Sequence, residues 1–249
     1  MKASYLILAT AVALASGACN AQKSGDGAAT TSTEAETVKP PADGDWSTVV
    51  TKTSQGGFRM GNPNAKVRLV ELGSLTCPHC REFDVTGLKP LVENYVKSGQ
   101  VSYEFRNYVR DPYDIAASLI ARCNGADSFF ALTNAIFEDQ PTWIAKLQEV
   151  PQEQLTAITN AGDGKQFLEI AKLAGLQQWA AMRGVPTAKS TACLTDQEAV
   201  NQLVQMNSDA VSQFPDMPGT PTFIINGEMV EAAGTWATLE PKIREALGG

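Results

Sequence analysis

The stretch KVRLVELGSLTCPHCREFD, residues 66–84, decides the fold. Lys66 to Leu72 is a nearly continuous apolar run, the pattern of a strand buried on both faces. Cys77-Pro78-His79-Cys80 follows where that strand ends and a helix begins, and Pro78 suits a first helical position, where no N–H partner is needed. Between Val85 and Val96, residues Leu88, Leu91, Val92, Tyr95 and Val96 fall on one helical face, and Gly99 closes that helix. Val101 to Val109 (VSYEFRNYV) alternates valine and aromatics with polar residues and reads as the next strand. Strand, helix and strand within about 45 residues make a βαβ crossover unit.

Outward from this unit, Ser47 to Lys52 alternates weakly and reads as an edge strand. From Pro112 to about Gly184 the pattern is helical, with segments over Ile115–Cys123, Ser128–Glu138, Gln152–Thr159 and Gln166–Met182. Ala199 to Phe214 is a further helix. Thr222–Ile225 and Glu228–Glu231 then flank Asn226-Gly227, a strong hairpin signal. Trp236, Leu239, Ile243 and Leu247 repeat at helical spacing and form a terminal amphipathic helix. The fold class is α/β, a mixed central sheet with flanking helices. Residues 46–111 and 196–249 form the sheet domain, and residues 112–195 form an all-helical subdomain inserted into it.

The chain has 249 residues, of which 43% are hydrophobic and 19% charged, which excludes a disordered protein. Its net charge of −7 lacks the electrostatic footprint of nucleic-acid or anionic-lipid binding. Its one histidine, His79, excludes sites that need two imidazoles.

Lys2, an apolar run from Tyr5 to Leu14 and the small residues Ala15 to Ala18 have the layout of a secretory signal peptide over residues 1–18. The run is too short for a permanent membrane span, which takes about 20 residues. Ser16-Gly17-Ala18-Cys19 resembles a bacterial lipobox with serine where leucine is usual, so lipidation at Cys19 and ordinary cleavage both stand as readings. Residues 19–45 are too poor in apolar side chains to offset their chain entropy and read as a flexible tether. Such a tether suits a membrane-attached periplasmic domain.

The chemistry centres on the two cysteines of the motif. Free N–H groups at the helix start favour an anion at the Cys77 sulfur, and His79 adds a donor or a positive charge beside it. Together these lower a thiol pKa from about 8.5 into the range of roughly 3.5 to 7.5. A stabilised thiolate favours the dithiol over the disulfide, so the pair is poised as an oxidant. The alternative, half of a zinc site, lacks both a second paired-cysteine motif and any histidine outside this one.

Strand, CPHC, helix, strand, helical insertion and Gly219-Thr220-Pro221-Thr222 before a terminal hairpin resemble the DsbA-like branch of the thioredoxin superfamily, over roughly Trp46 to Leu247. The resemblance implies a thioredoxin-like fold, and it implies that Thr220-Pro221 is a cis bond packed opposite the cysteines. There Pro78, Thr220 and Pro221 would border the substrate, with the exposed backbone of Thr220 pairing with an extended segment. Arg183-Gly184-Val185-Pro186-Thr187 is similar to the same loop, but no apolar strand follows it. Glu71, six positions before Cys77, matches the family's buried glutamate and would take or return the Cys80 proton. The alternative is a glutamate at a solvated sheet edge.

Once Cys19 is lipidated or cleaved away, four cysteines remain, and Cys77 with Cys80 leaves Cys123 to pair with Cys193 across the helical insertion. Two buried free thiols are the alternative. Some DsbA-like proteins carry a second disulfide in this region.

The reading is an enzyme, a periplasmic protein thiol:disulfide oxidoreductase that introduces disulfides into exported, cysteine-containing proteins. It needs no cofactor, and a membrane partner reoxidises it. Isomerases of the superfamily are usually dimers joined by an N-terminal domain. Only the tether and one strand precede the βαβ unit that carries the motif, too little for such a module, which points to a monomeric oxidase. The alternatives are an isomerase or reductase of the same fold, and a non-catalytic peptide-binding or redox-sensing lipoprotein.

Overall fold

The computed structural model describes residues 39–162 and 164–249, so the signal-peptide layout, Cys19 and most of the tether lie outside the described residues. Among the described residues six strands form one sheet: β1 (Val50–Lys52), β2 (Phe58–Met60), β3 (Val67–Gly73), β4 (Val101–Asn107), β5 (Thr222–Ile225) and β6 (Glu228–Met229). Their order is β1-β2-β4-β3-β5-β6. β3 and β4 run parallel and every other neighbouring pair is antiparallel. The apolar run therefore lies at the centre, where Glu71 pairs with Phe105 on one side and Phe223 on the other.

The first edge strand is shorter than its sequence suggests. Asp45 caps a 3-10 turn over Trp46–Thr48 by accepting from the Ser47 N–H at 2.9 Å, and extended backbone starts only after it. β2 gives no periodic signal because only three residues separate its glycines. Gly57 sits so close to β4 that an added Cβ would lie 2.9 Å from the Phe105 carbonyl oxygen, which explains the glycine.

The helix after the motif begins at Pro78. It comprises α1 (Pro78–Phe83) and α2 (Lys89–Leu91), with π-type turns over Asp84–Leu88 and Val92–Val96. Pro90 falls in the narrow α2, and a proline there offers no N–H to the preceding turn. Gly99, at φ +78°, ends the element.

The central segment holds α3 (Pro112–Arg122), α4 (Ala126–Glu138), α5 (Gln140–Gln148), α6 (Gln152–Asn160), α7 (Gln166–Leu173), α8 (Leu176–Ala181) and α9 (Thr187–Leu194). The pattern over Gln166–Met182 is two helices because Gly175, at φ +72°, takes the left-handed conformation between them. α5 and α9 are absent from the sequence reading: both are short, and each carries few buried apolar residues. α10 (Gln197–Gln213) starts two residues before its apolar pattern, since Asp196 accepts from the Glu198 and Ala199 N–H groups. Asn226 (φ +52°) and Gly227 (φ +96°) turn the terminal hairpin. α11 (Trp236–Leu247) opens on a Thr235/Thr238 capping box.

One hydrophobic cluster joins the sheet to the helical segment. Phe129 of α4 stacks on Phe58 with centroids 4.1 Å apart and meets Phe105 at 5.9 Å, while Phe137 meets Phe105 at 6.2 Å. Aromatics spaced like core residues thus clamp α4 to β2 and β4 of the sheet. Among the described residues no helix is long and apolar enough to cross a membrane.

Candidate active site

Cys77 is the N-cap of α1, with Pro78 behind it at the first helical position. Both cysteines are free thiols, Cys77 2% exposed and Cys80 fully buried. The Cys80 thiol donates to the Cys77 sulfur, and this bond does most to lower the Cys77 pKa to about 4. Burial opposes it, while Thr220 and the backbone N–H groups of Cys80 and His79 add to it. In its thiol form Cys77 donates to the Thr220 carbonyl at 3.1 Å. Burial and the same shared proton push Cys80 the other way, well above an ordinary thiol, and the charge of Glu71 adds to that. One sulfur is a stable anion and its neighbour a reluctant one.

The contribution of His79 differs from its sequence expectation. Its side chain is 73% exposed and lies 3.6 Å from Glu82, so what reaches the thiolate is the backbone N–H. A residue in the first turn of a helix points its N–H groups back at the cap and its side chain outward.

The Thr220-Pro221 bond is cis, the only cis bond among the described residues, and it places Thr220 against Cys77. The similar Pro186 loop leads into α9 and not into a strand.

Glu71 is 1% exposed at the centre of the sheet. Tyr103 donates to its Oε2 at 2.6 Å, while Oε1 has no partner. Burial raises the Glu71 pKa to about 8 against the pull of the Tyr103 bond, with the negative charges of Asp84 and Cys77 adding to the rise. The carboxyl is therefore largely protonated at neutral pH and close enough to feel both sulfurs.

Four residues of this neighbourhood escape sequence reasoning. Tyr103 reads only as an alternating strand aromatic. Asp84 is pushed to about 7 by burial and by Glu138, with Arg81 opposing. Asp114 accepts from Ser74 Oγ at 2.5 Å and from the Leu75 N–H at 2.9 Å. Gln140 donates to the Leu75 and Cys77 carbonyls at 2.8 and 3.0 Å. An acid in the first turn of a helix normally looks solvent-exposed, and nothing in the local pattern around Asp114 or Gln140 reveals that they turn inward.

Cys123 and Cys193 are joined by a disulfide with their Cα atoms 5.7 Å apart, tying the end of α3 to α9. Cys19 lies outside the described residues. Among those residues no cluster of metal-ligating side chains occurs.

Comparison with known proteins extends the picture. A family model described as thioredoxin matches residues 53–245. A Rickettsia bellii protein named "Putative protein-disulfide oxidoreductase" is 27% identical over 184 residues, covering 74% of this chain and 62% of its own length. The chain thus spans less than two thirds of that curated relative. A Bacillus cereus protein named "Probable disulfide bond formation protein D" is 29% identical over 146 residues, covering 51% of this chain and 67% of that protein. The crystal structure of a protein-disulfide isomerase from Novosphingobium aromaticivorans superposes with a TM-score of 0.73 at 32% identity, covering 77% of this chain and 97% of that one. Wolbachia pipientis alpha-DsbA1 shares the fold at a TM-score of 0.60 and 21% identity, over 76% of this chain and 90% of its own.

Proposed function

The chain belongs to the thioredoxin family, and from that premise we propose that it is a protein thiol:disulfide oxidoreductase that introduces disulfides into exported, cysteine-containing proteins. The observation that carries this reading is the asymmetry of the two sulfurs, Cys77 near 4 and Cys80 raised. A substrate thiolate attacks Cys77 Sγ of the Cys77–Cys80 disulfide, forming a mixed disulfide and expelling Cys80 as a thiolate. Glu71, largely protonated at neutral pH, gives that thiolate its proton. The second substrate thiolate then attacks the substrate sulfur of the mixed disulfide, completing the substrate disulfide and releasing Cys77 as the stabilised thiolate. The substrate is oxidised by two electrons and the Cys77–Cys80 pair is reduced. A membrane partner restores the disulfide.

The magnitude supports a pair more oxidising than thioredoxin. A thioredoxin-like thiol of pKa about 7 is half ionised at pH 7, whereas one near 4 gains roughly 4 kcal/mol of additional stabilisation. At about 30 mV per 1.4 kcal/mol this raises the potential by roughly 80 mV, from about −270 mV to about −190 mV. The signal-peptide layout and the Cys123–Cys193 disulfide support an oxidising, periplasmic location. Lipidation at Cys19 is part of the same proposal, and mass spectrometry of the mature N-terminus decides it.

Equilibration with glutathione buffers tests the assignment, together with trapping by Cys80→Ala, which should accumulate dithiothreitol-sensitive adducts. A potential near −270 mV, or a mostly reduced pair in the producing cells, would make this a reductase or isomerase. Isomerase is the second reading because the Novosphingobium aromaticivorans structure carries that name. It predicts faster reshuffling of scrambled disulfides than oxidation of reduced protein. The oxidase reading predicts the opposite, in a monomer.

A further inference from the structure

Asp114 stands out because the helix that carries it does not need it. Asp111 already caps α3, accepting from the Tyr113 and Asp114 N–H groups at 2.9 and 2.8 Å. Asp114 is nonetheless fully buried, and burying a carboxylate costs several kcal/mol unless its hydrogen bonds are well satisfied. Its bonds leave the first turn: Oδ2 accepts from Ser74 Oγ at 2.5 Å and from the Arg110 N–H at 3.1 Å, and Oδ1 from the Leu75 N–H at 2.9 Å and Ser118 Oγ at 3.4 Å. Ser74 and Leu75 belong to the short connection between β3 and Cys77. Two more side chains hold that connection, as Gln140 of α5 binds the Leu75 and Cys77 carbonyls and Asp111, the cap of α3, accepts from Thr76 Oγ1 at 2.9 Å. The far end of the line is a sulfur: the Ser74 N–H donates to Cys80 Sγ at 3.4 Å.

We propose that Asp114 is a positioning residue of disulfide exchange, holding Ser74 so that its N–H faces the Cys80 sulfur and stabilises it whenever it carries negative charge. The inference rests on the oxidoreductase reading above. When an incoming thiolate attacks Cys77, an S–S bond forms to Cys77, the Cys77–Cys80 bond breaks and its electron pair goes to Cys80 Sγ. Charge thus develops at the atom Ser74 addresses. The same donor serves the reverse step, in which the Cys80 thiolate attacks a mixed disulfide at Cys77. Gln140, bound to the carbonyls on either side, keeps the connection from rotating out of this alignment.

Reduction of the oxidised protein by glutathione, followed by thiolate absorbance, tests this in the wild type, Asp114→Asn, Ser74→Ala and the double variant. One misaligned hydrogen bond to a charged group corresponds to a loss of about 10-fold in rate for each single variant. The double variant should be no slower than the singles, because both break the same line. Wild-type rates in both single variants, or single losses that multiply in the double variant, would overturn the proposal. A role confined to stability would lower the melting temperature and leave these rates unchanged. If Asp114→Asn does not fold, Ser74→Ala decides alone. A wild-type protein that does not exchange with glutathione overturns the oxidoreductase reading and this inference with it. Exchange by the wild type with unchanged variants overturns the inference alone.

Discussion

At the scale of single residues, Glu71 shows how burial sets chemistry. Its pKa is raised from 4.5 to about 8, so the folded state resists its ionisation. The stabilisation linked to a raised pKa is complete below 4.5 and is lost as pH rises through 8. At pH 7 most of that loss has accrued, about 3 kcal/mol by the size of the shift. Glu71→Gln removes it, so this variant should melt higher than the wild type above about pH 5, with the gap widening to pH 8. It should also slow the step that protonates Cys80, and an unchanged melting temperature at pH 8 would count against the buried-acid account. Cys77 yields a second expectation: thiolate absorbance of the reduced protein should titrate near 4. His79→Ala should move that midpoint little, because the backbone N–H survives the change, whereas a return toward 8.5 would mean that the imidazole is what stabilises the thiolate.

At the scale of elements, what the sequence reveals depends on how much of each element is periodic. β3, β4 and β5 are legible because they carry long apolar or alternating runs, and α10 and α11 because of their helical stripes. β2, α5 and α9 are not, because three-residue strands and short helices held by tertiary contacts leave no pattern. The cysteines and Pro221 are legible through motif chemistry. Asp114 and Gln140 are not, since their roles come from a contact between α3, α5 and a loop about 40 to 65 positions earlier. The Cys123–Cys193 bond staples two of these elements. It closes a separation of 70 residues, for which chain entropy gives about 4 kcal/mol. Cys123→Ala with Cys193→Ala should therefore lower stability by a few kcal/mol in denaturant melts while leaving the Cys77–Cys80 potential within about 10 mV of wild type. A large change in potential would show that this staple shapes the site.

For the whole molecule, the oxidation state of one cysteine pair should set global stability, and two opposing contributions decide the sign. Closing the Cys77–Cys80 disulfide constrains a loop of only about four residues in the unfolded chain, which favours the oxidised protein by roughly 2 kcal/mol. Reduction frees Cys77 to ionise. Its pKa falls from 9.0 to about 4 on folding, so the linked stabilisation is complete above pH 9 and is lost as pH falls through 4. At pH 7, about three units above the folded value, it amounts to roughly 4 kcal/mol. The thiolate wins there by about 2 kcal/mol, and the reduced protein should be the more stable form. As pH falls the thiolate contribution shrinks by about 1.4 kcal/mol per unit while the loop contribution stays constant. The order should therefore invert between roughly pH 5 and 6, and at pH 4 the oxidised protein should be the more stable by 1 to 2 kcal/mol, again roughly. Urea unfolding of both forms at pH 7, 5.5 and 4 measures this directly. An oxidised form that is more stable at pH 7 would mean that the thiolate is not stabilised in the folded protein, and the oxidising poise inferred from it would go with it.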